Sequence, residues 1–216
     1  MTAFWALVHR DIARTWRGGS WWLPVAFFLL VATLFPFAIG PDQQVLGEVG
    51  GGALWIAALL AALLPIDRLI VPDLEAGLFD RTVLAGLSDE LVIAAKFIAH
   101  LLCFAIPLFI AIFPAAALLA LDADTVRDFA TGFALGAPGL AGLSVMIAAI
   151  SAGQRGGGAL SGLMLLPLAV PLLIFGAGML DPAGRGSPLF LSAVSLLLVA
   201  ITPFAGGAAI RAARET

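Results

Sequence analysis

Apolar residues gather into six long runs along the chain, at about 21–40, 49–66, 97–121, 129–152, 159–180 and 189–210, separated by polar gaps. Each run is close to the roughly 20 residues that cross a hydrocarbon core about 30 Å thick, so the pattern predicts six transmembrane helices. An all-helical bundle is expected, because lipid tolerates no open backbone polar groups. Two gaps are long enough to hold structure of their own, residues 1–20 and 67–90.

The first gap has helical periodicity. At about 100° per residue, Trp5, Val8, Ile12 and Trp16 fall with Phe4 within an arc of about 120°, and Arg10, Arg14 and Arg17 lie on another side. The segment reads as an amphipathic helix lying at the membrane surface, with Leu7 and Asp11 off the pattern. Gly18-Gly19 breaks it before the chain enters lipid at Trp21-Trp22. A basic flank that only orients the first span would explain the arginines but not the apolar arc.

The second gap, DRLIVPDLEAGLFDRTVLAGLSDE, is the longest hydrophilic interruption. Pro72 suits the start of a helical turn. Leu74 and Leu78 share one helical face, and Val83, Leu84 and Leu87 another. Gly77 and Gly86 interrupt both, so short helices are expected rather than one long one. Asp73, Glu75, Asp80 and Arg81 keep the segment out of lipid, and Ser88 before Asp89-Glu90 suits an N-cap for the next helix. A solvated loop accounts for these charges, whereas apolar residues on short turns also suit docking into a groove of a soluble partner.

Charge then orients the whole. Nine of the eleven Lys and Arg residues lie in one alternating set of gaps. That set holds Arg10, Arg14 and Arg17, then Arg68, Arg81 and Lys96, then Arg155, then Arg211 and Arg214. The other set holds only Arg127 and Arg185. The positive-inside rule places both termini in the cytoplasm.

Composition adds little. The chain of 216 residues is 62% hydrophobic and 12% charged, against about 25% charged in ordinary globular domains. Six helices use most of the length, so one transmembrane domain over 1–216 is expected, with no soluble catalytic domain. No removable signal peptide is expected, because the first apolar run is longer than the 7–15 residues of a typical signal core. A single cysteine, Cys103, excludes an intramolecular disulfide. The net charge of −3 is uninformative, and nucleic acid is not an expected partner.

Several residues in the apolar runs or at their edges invite two readings. Lys96 and His100 are one turn apart at the cytoplasmic end of the third run. Lys96 either snorkels to the headgroups or lines an interior. His100 either hydrogen-bonds a neighbouring helix or ligates a metal or haem. Gly132 and Gly136 form one G-x-x-x-G, and Gly158 and Gly162 another; the spacing serves intrachain packing or dimerisation. PLAVPLLIFG, from Pro167 to Gly176, carries two prolines that suggest a fixed kink or a hinge in the fifth helix. Lys96 is the only lysine and follows Ala95, so the phosphate-binding G-x-x-x-x-G-K-[ST] loop is excluded. No H-E-x-x-H, C-x-x-C or G-x-S-x-G occurs either. A binding or transport subunit is favoured over an enzyme.

Asp67-Arg68, Asp73-Leu74-Glu75 and Gly77, followed by Ala95-Lys96 and Ala99-His100, resemble the B subunit of the bacterial cytochrome c maturation haem exporter, the CcmB family. Gly156-Gly157, the Pro167–Gly176 run and the ending from Pro203 to Arg211 continue the likeness over nearly the whole chain. Ala76 and the stretch Leu78 to Arg81 depart from the family pattern. The resemblance implies an ABC-2-type exporter permease with six transmembrane helices, an N-terminal elbow helix and a cytoplasmic coupling helix, set in the bacterial inner membrane. It implies an ABC ATPase subunit on a separate chain that binds the ATP, a second copy of the permease, further cytochrome c maturation membrane subunits and a periplasmic haem chaperone. Haem is then the substrate of the complex, exported or released on the loaded chaperone. No catalytic residue, metal ligand or bound cofactor is assigned to this chain. Asp67, Arg68, Asp73, Leu74, Glu75, Gly77 and Leu78 become candidates for coupling to the ATPase, and Lys96, His100, Pro167 and Pro171 the matching residues inside the membrane. Two alternatives remain, a permease of this architecture exporting a glycan, lipid or drug, and a six-span intramembrane enzyme or scaffold without an ATPase.

Overall fold

The computed structural model describes residues 2–40, 42–153, 166–181 and 184–215, and among them there are helices and no strand. In chain order these are α1 (Thr2–Arg17), α2 (Trp22–Ile39), α3 (Gln43–Leu63), α4 (Ile66–Leu69), α5 (Val71–Glu75), α6 (Leu78–Leu84), α7 (Asp89–Leu118), α8 (Ala123–Ala152), α9 (Val170–Ala177) and α10 (Ser187–Arg214). Short 3-10 turns, Leu166–Ala169 and Gly178–Leu180, flank α9.

Five segments are long and apolar enough to cross a membrane: Trp22–Ile39, Gln44–Glu75, Asp89–Leu118, Ala123–Ala152 and Ser187–Arg214. They carry five of the six expected spans. The expected fifth, 159–180, begins outside the described residues, and its described part, Pro167–Leu180, is a shorter apolar helix. Gly158 and Gly162 also lie outside the described residues, as do Arg155 and Gly156-Gly157. Pro171 stands in the first turn of α9 and Pro167 in the 3-10 turn before it. At those positions a missing N–H leaves no helical hydrogen bond unmade.

Three helices start several residues before their apolar runs because a polar side chain caps them. Asp42 accepts a hydrogen bond from the amide of Gln44 at 2.9 Å, and Asp122 from that of Thr125 at 2.7 Å. Ser88 accepts from the amide of Leu91 at 3.4 Å, as its position before two acids suggests. Each cap satisfies an amide that the first turn leaves without an intrahelical partner, so the helix begins in the polar gap.

α8 is the central helix: 78% of its most apolar stretch is buried, against 17% for α2. Its glycines draw two neighbours close. A Cβ on Gly139 would stand 2.9 Å from the Ser195 backbone, and one on Gly142 would stand 2.7 Å from the Thr202 hydroxyl, both on α10. The Gly139 amide donates to Ser195 Oγ at 2.8 Å, beside Pro138 within the helix. Ser144 Oγ lies 2.8 Å from the carbonyls of both Leu140 and Ala62, tying α8 to the end of α3.

Trp55 of α3 is the largest fully buried side chain. Its indole rests against Gly132 and Gly136 of α8 and Gly176 of α9, where a Cβ would meet ring atoms at 3.2, 2.9 and 2.6 Å. Phe129 packs on the same ring at 5.6 Å between centroids. The first G-x-x-x-G therefore serves packing within the chain, as a floor for an aromatic ring from another helix.

Gly176→Ala is expected to lower thermal stability in detergent. Overpacking against a rigid indole costs about 1–3 kcal/mol, which exceeds the up to about 1 kcal/mol that Ala gains over Gly in a helix. Gly52→Ala faces open space and should raise the melting temperature or leave it unchanged; equal melting of the two variants would contradict this account of Trp55.

Candidate functional site

All the long polar structure gathers at one end of the bundle, around α1 and the three short helices α4 to α6. The buried face of α1 runs Phe4, Leu7, Val8, Asp11 and Ile12, at spacings of three and four residues. Val8 packs with Ala95 and Ala99 of α7, and Phe4, Leu7 and Ile12 close around them. Two alanines one turn apart let the helices approach. Trp5 and Trp16, which the apolar arc groups with Val8, are instead exposed. Trp16 stacks on Trp21 across the Gly18-Gly19 turn at 4.8 Å.

Between those alanines stands Lys96, only 4% exposed. Its ammonium pairs with Asp73 of α5, lies 3.2 Å from Asp11 of α1 and donates to the Leu69 carbonyl at 3.1 Å. Three donors thus meet three acceptors. Asp73, itself 5% exposed, also takes Arg10 and Arg14 of α1 at 2.7 Å each. Arg10 Nε turns to Asp11 at 2.8 Å. Lys96 therefore lines an interior rather than reaching out to solvent. Its cluster joins α1, α5 and α7, elements brought together from positions 63 and 85 residues apart.

His100, one turn further along α7, is buried and stacks on Phe104 at 5.7 Å. Its Nε2 has no hydrogen-bond partner among the described residues. His9 is exposed on α1.

A second ionic cluster closes the other side. Arg214 near the end of α10 reaches Asp89 at 2.6 Å and Asp80 of α6 at 3.3 Å, while Arg211 pairs with Glu90. Gly206 and Gly207 permit this approach, since a Cβ at either would stand 2.9 or 3.1 Å from Ile93 or the Glu90 amide of α7. Beneath lies Phe79 of α6, 1% exposed, packed in one apolar cluster with Val92, Ile93, Ala148 and Ile210. α6 is thus fixed by an aromatic anchor below and an ion pair above.

The coupling candidates separate under this geometry. Asp73 faces the interior, Asp67, Arg68 and Glu75 are exposed, and Leu74 and Leu78 are half-buried. Leu74 packs on the apolar cluster beneath α6. Gly77, at φ +65°, turns the chain between α5 and α6, so Leu74 and Leu78 do not share a helical face as their spacing suggests. The left-handed conformation there strains most other residues. The apolar side chains that do project are Leu84, 88% exposed, and Val83, 45% exposed. The coupling candidates do not include Leu84; burial of Phe79 and Thr82, three apart on a seven-residue helix, is the feature that leaves it outward. Pro167 and Pro171 stand apart from this end of the site, on the segment around α9.

Removing one member of the Lys96–Asp73 pair should destabilise the chain by about 3–5 kcal/mol, because the survivor is a buried uncompensated charge. Asp73→Asn is expected to melt well below the wild type in detergent, and the double variant Asp73→Leu with Lys96→Met to recover most of the loss. Equal stability of Asp73→Asn and the wild type would refute the cluster.

The chain matches the family described as CcmB protein over residues 2–213. Three relatives, each called heme exporter protein B, align nearly end to end. That of Rhodobacter capsulatus is 39% identical over 212 residues, covering 95% of this chain and 97% of its own. That of Bradyrhizobium diazoefficiens is 39% identical over 218 residues, with 98% of each covered. That of Escherichia coli K12 is 35% identical over 214 residues, with 96% and 97% covered. A match of this extent, on an all-helical chain with five membrane-length apolar helices, shows that the protein belongs to the CcmB family.

Proposed function

We propose that this chain is the membrane permease subunit of a haem exporter in cytochrome c biogenesis, driven by an ATPase carried on a separate chain. The observation that carries the reading is the full-length likeness to proteins named heme exporter protein B. In this reading haem is the substrate of the complex, and ATP is bound and hydrolysed by the partner. ATP hydrolysis serves haem export or release of a haem-loaded periplasmic chaperone. The permease works as two copies with further cytochrome c maturation subunits in the bacterial inner membrane.

α1 is then the elbow helix at the cytoplasmic surface, α4 to α6 form the coupling segment, and Pro167–Leu180 belongs to the fifth of six spans. Both termini face the cytoplasm. The placement of the arginines supports this orientation, and the exposure of Val83 and Leu84 supports α6 as the part that meets the ATPase. The anchors of α6 suit such a role. A push on Leu84 passes through Phe79 to α7, α8 and α10, and through α5 and Asp73 to α7 and α1. Short rigid connections of this kind move helices as bodies rather than letting a loop absorb the displacement.

Replacing Val83 and Leu84 with Asp should reduce co-purification of the ATPase by about tenfold or more, since a charge in an apolar groove costs at least the about 1.4 kcal/mol that a factor of ten represents. Membrane insertion should be retained, because neither side chain is buried in the chain. Undiminished recovery of the ATPase would remove α6 from the interface.

For orientation, Gln44→Cys and Arg185→Cys, each placed in a Cys103→Ala background, should react with a membrane-impermeant thiol reagent added from the periplasmic side. Reaction only after the membrane is opened would invert the assignment.

A further inference from the structure

A cavity of about 240 Å³ opens beside the Lys96–Asp73 cluster, bounded by α1, the start of α2, α4, α5 and α7. The proposed function assigns nothing to it. One part of its wall is cationic: Arg14, Arg68 and Lys96 line it with Asp11 and Asp73. Both carboxylates are already engaged by Arg10, Arg14 and Lys96. The Arg68 side chain, by contrast, is exposed and makes no ion pair or hydrogen bond among the described residues. Three cations line the cavity with two carboxylates, and Arg10, outside the lining, pairs with both carboxylates, so the site carries an excess of positive charge beside hydroxyls of Thr15 and Ser20. That is the chemistry of an anion site.

Another part of the wall is mostly apolar. Pro24, Phe104, Cys103 and the indole of Trp21 line it beside the buried imidazole of His100, at the start of the first apolar helix and partway along α7. A free anion in water has no use for such a surface. The volume is also below the about 300–1,000 Å³ of pockets that enclose a whole drug-sized ligand. It suits a small charged group attached to something that lies outside.

We propose that this cavity holds the phosphate headgroup of an anionic phospholipid, with Arg68 and Arg14 at the phosphate and the acyl chains leaving past Pro24 and Phe104. The lipid would bridge α1 to α4 and α7 and so bind the surface helix to the bundle. This rests on the proposed placement of α1 at the membrane surface, and its test reads lipid separately from ATPase association.

The full-length chain is reconstituted in nanodiscs of phosphatidylcholine with a minority of phosphatidylglycerol, extracted with mild detergent and weighed by native mass spectrometry. A single phosphatidylglycerol per chain should survive extraction, with phosphatidylcholine lost. Arg68→Gln should lower that retention by about tenfold, the loss of one charge-assisted contact, while Arg127→Gln at the other end of the bundle leaves it unchanged. Arg68 has no structural partner to lose, and unchanged thermal melting of the variant verifies its fold. Absence of retained lipid, equal retention of the two lipids, or full retention by Arg68→Gln would each overturn the proposal. Displacement of the lipid by inorganic phosphate at millimolar concentration would overturn the lipid source and leave a free-anion site. ATPase recovery is read on the same wild-type preparation: recovery without lipid sinks the lipid site alone, and lipid without recovery sinks the permease reading alone.

Discussion

An ammonium ion shut away from water is unstable unless acceptors surround it, and Lys96 therefore dictates where much of this end of the bundle must go. Its side chain requires Asp73, Asp11 and the Leu69 carbonyl at once, which places α5, α1 and α4 against α7. Asp73 in turn needs more positive charge than one lysine supplies, and Arg10 and Arg14 bring it from α1. Hydrophobic packing between α1 and the two alanines of α7 is compatible with several rotations of the helix. The ionic cluster admits one. In lipid-facing proteins, where helix association lacks the driving force that water provides, a specific polar contact of this kind carries much of the selectivity.

The remainder of the bundle is ordered by steric fit. Glycines at 132, 136 and 176 make a socket for Trp55, and those at 139 and 142 let α10 lie close along α8. The two modes divide the molecule by depth. Shape governs the apolar middle, where a few Ser and Thr hydroxyls bond only to backbone, and charge governs the polar end.

How much of this could be read in advance depends on whether the cause is local. Five of the apolar runs, the short helices between 67 and 90 and the Ser88 cap follow from neighbouring residues and are found among the described residues. The burial of Asp11 does not. On α1 alone it interrupts an apolar arc and looks misplaced, because the reason for it is Lys96, 85 residues away. Trp5 and Trp16 show the converse: apolar by composition, they take no place in the interior, and periodicity cannot distinguish a face turned to a helix from one turned outward. The pairing of Leu74 with Leu78 failed for a third reason, since helical spacing means nothing across the reversal at Gly77. Gly132 and Gly136 left two readings open until the ring of a residue on α3 filled the notch between them.

Arg214 holds α6 and the start of α7 from almost the last position of the chain. During synthesis the N-terminal cluster can close once α7 has emerged, because Lys96 is its final member. The clasp on Asp80 and Asp89 has to wait for the ribosome to finish α10. Domains generally form in the order in which they are made, but here α6 and the start of α7 gain their last ionic contacts only from α10, more than 100 residues further along the chain.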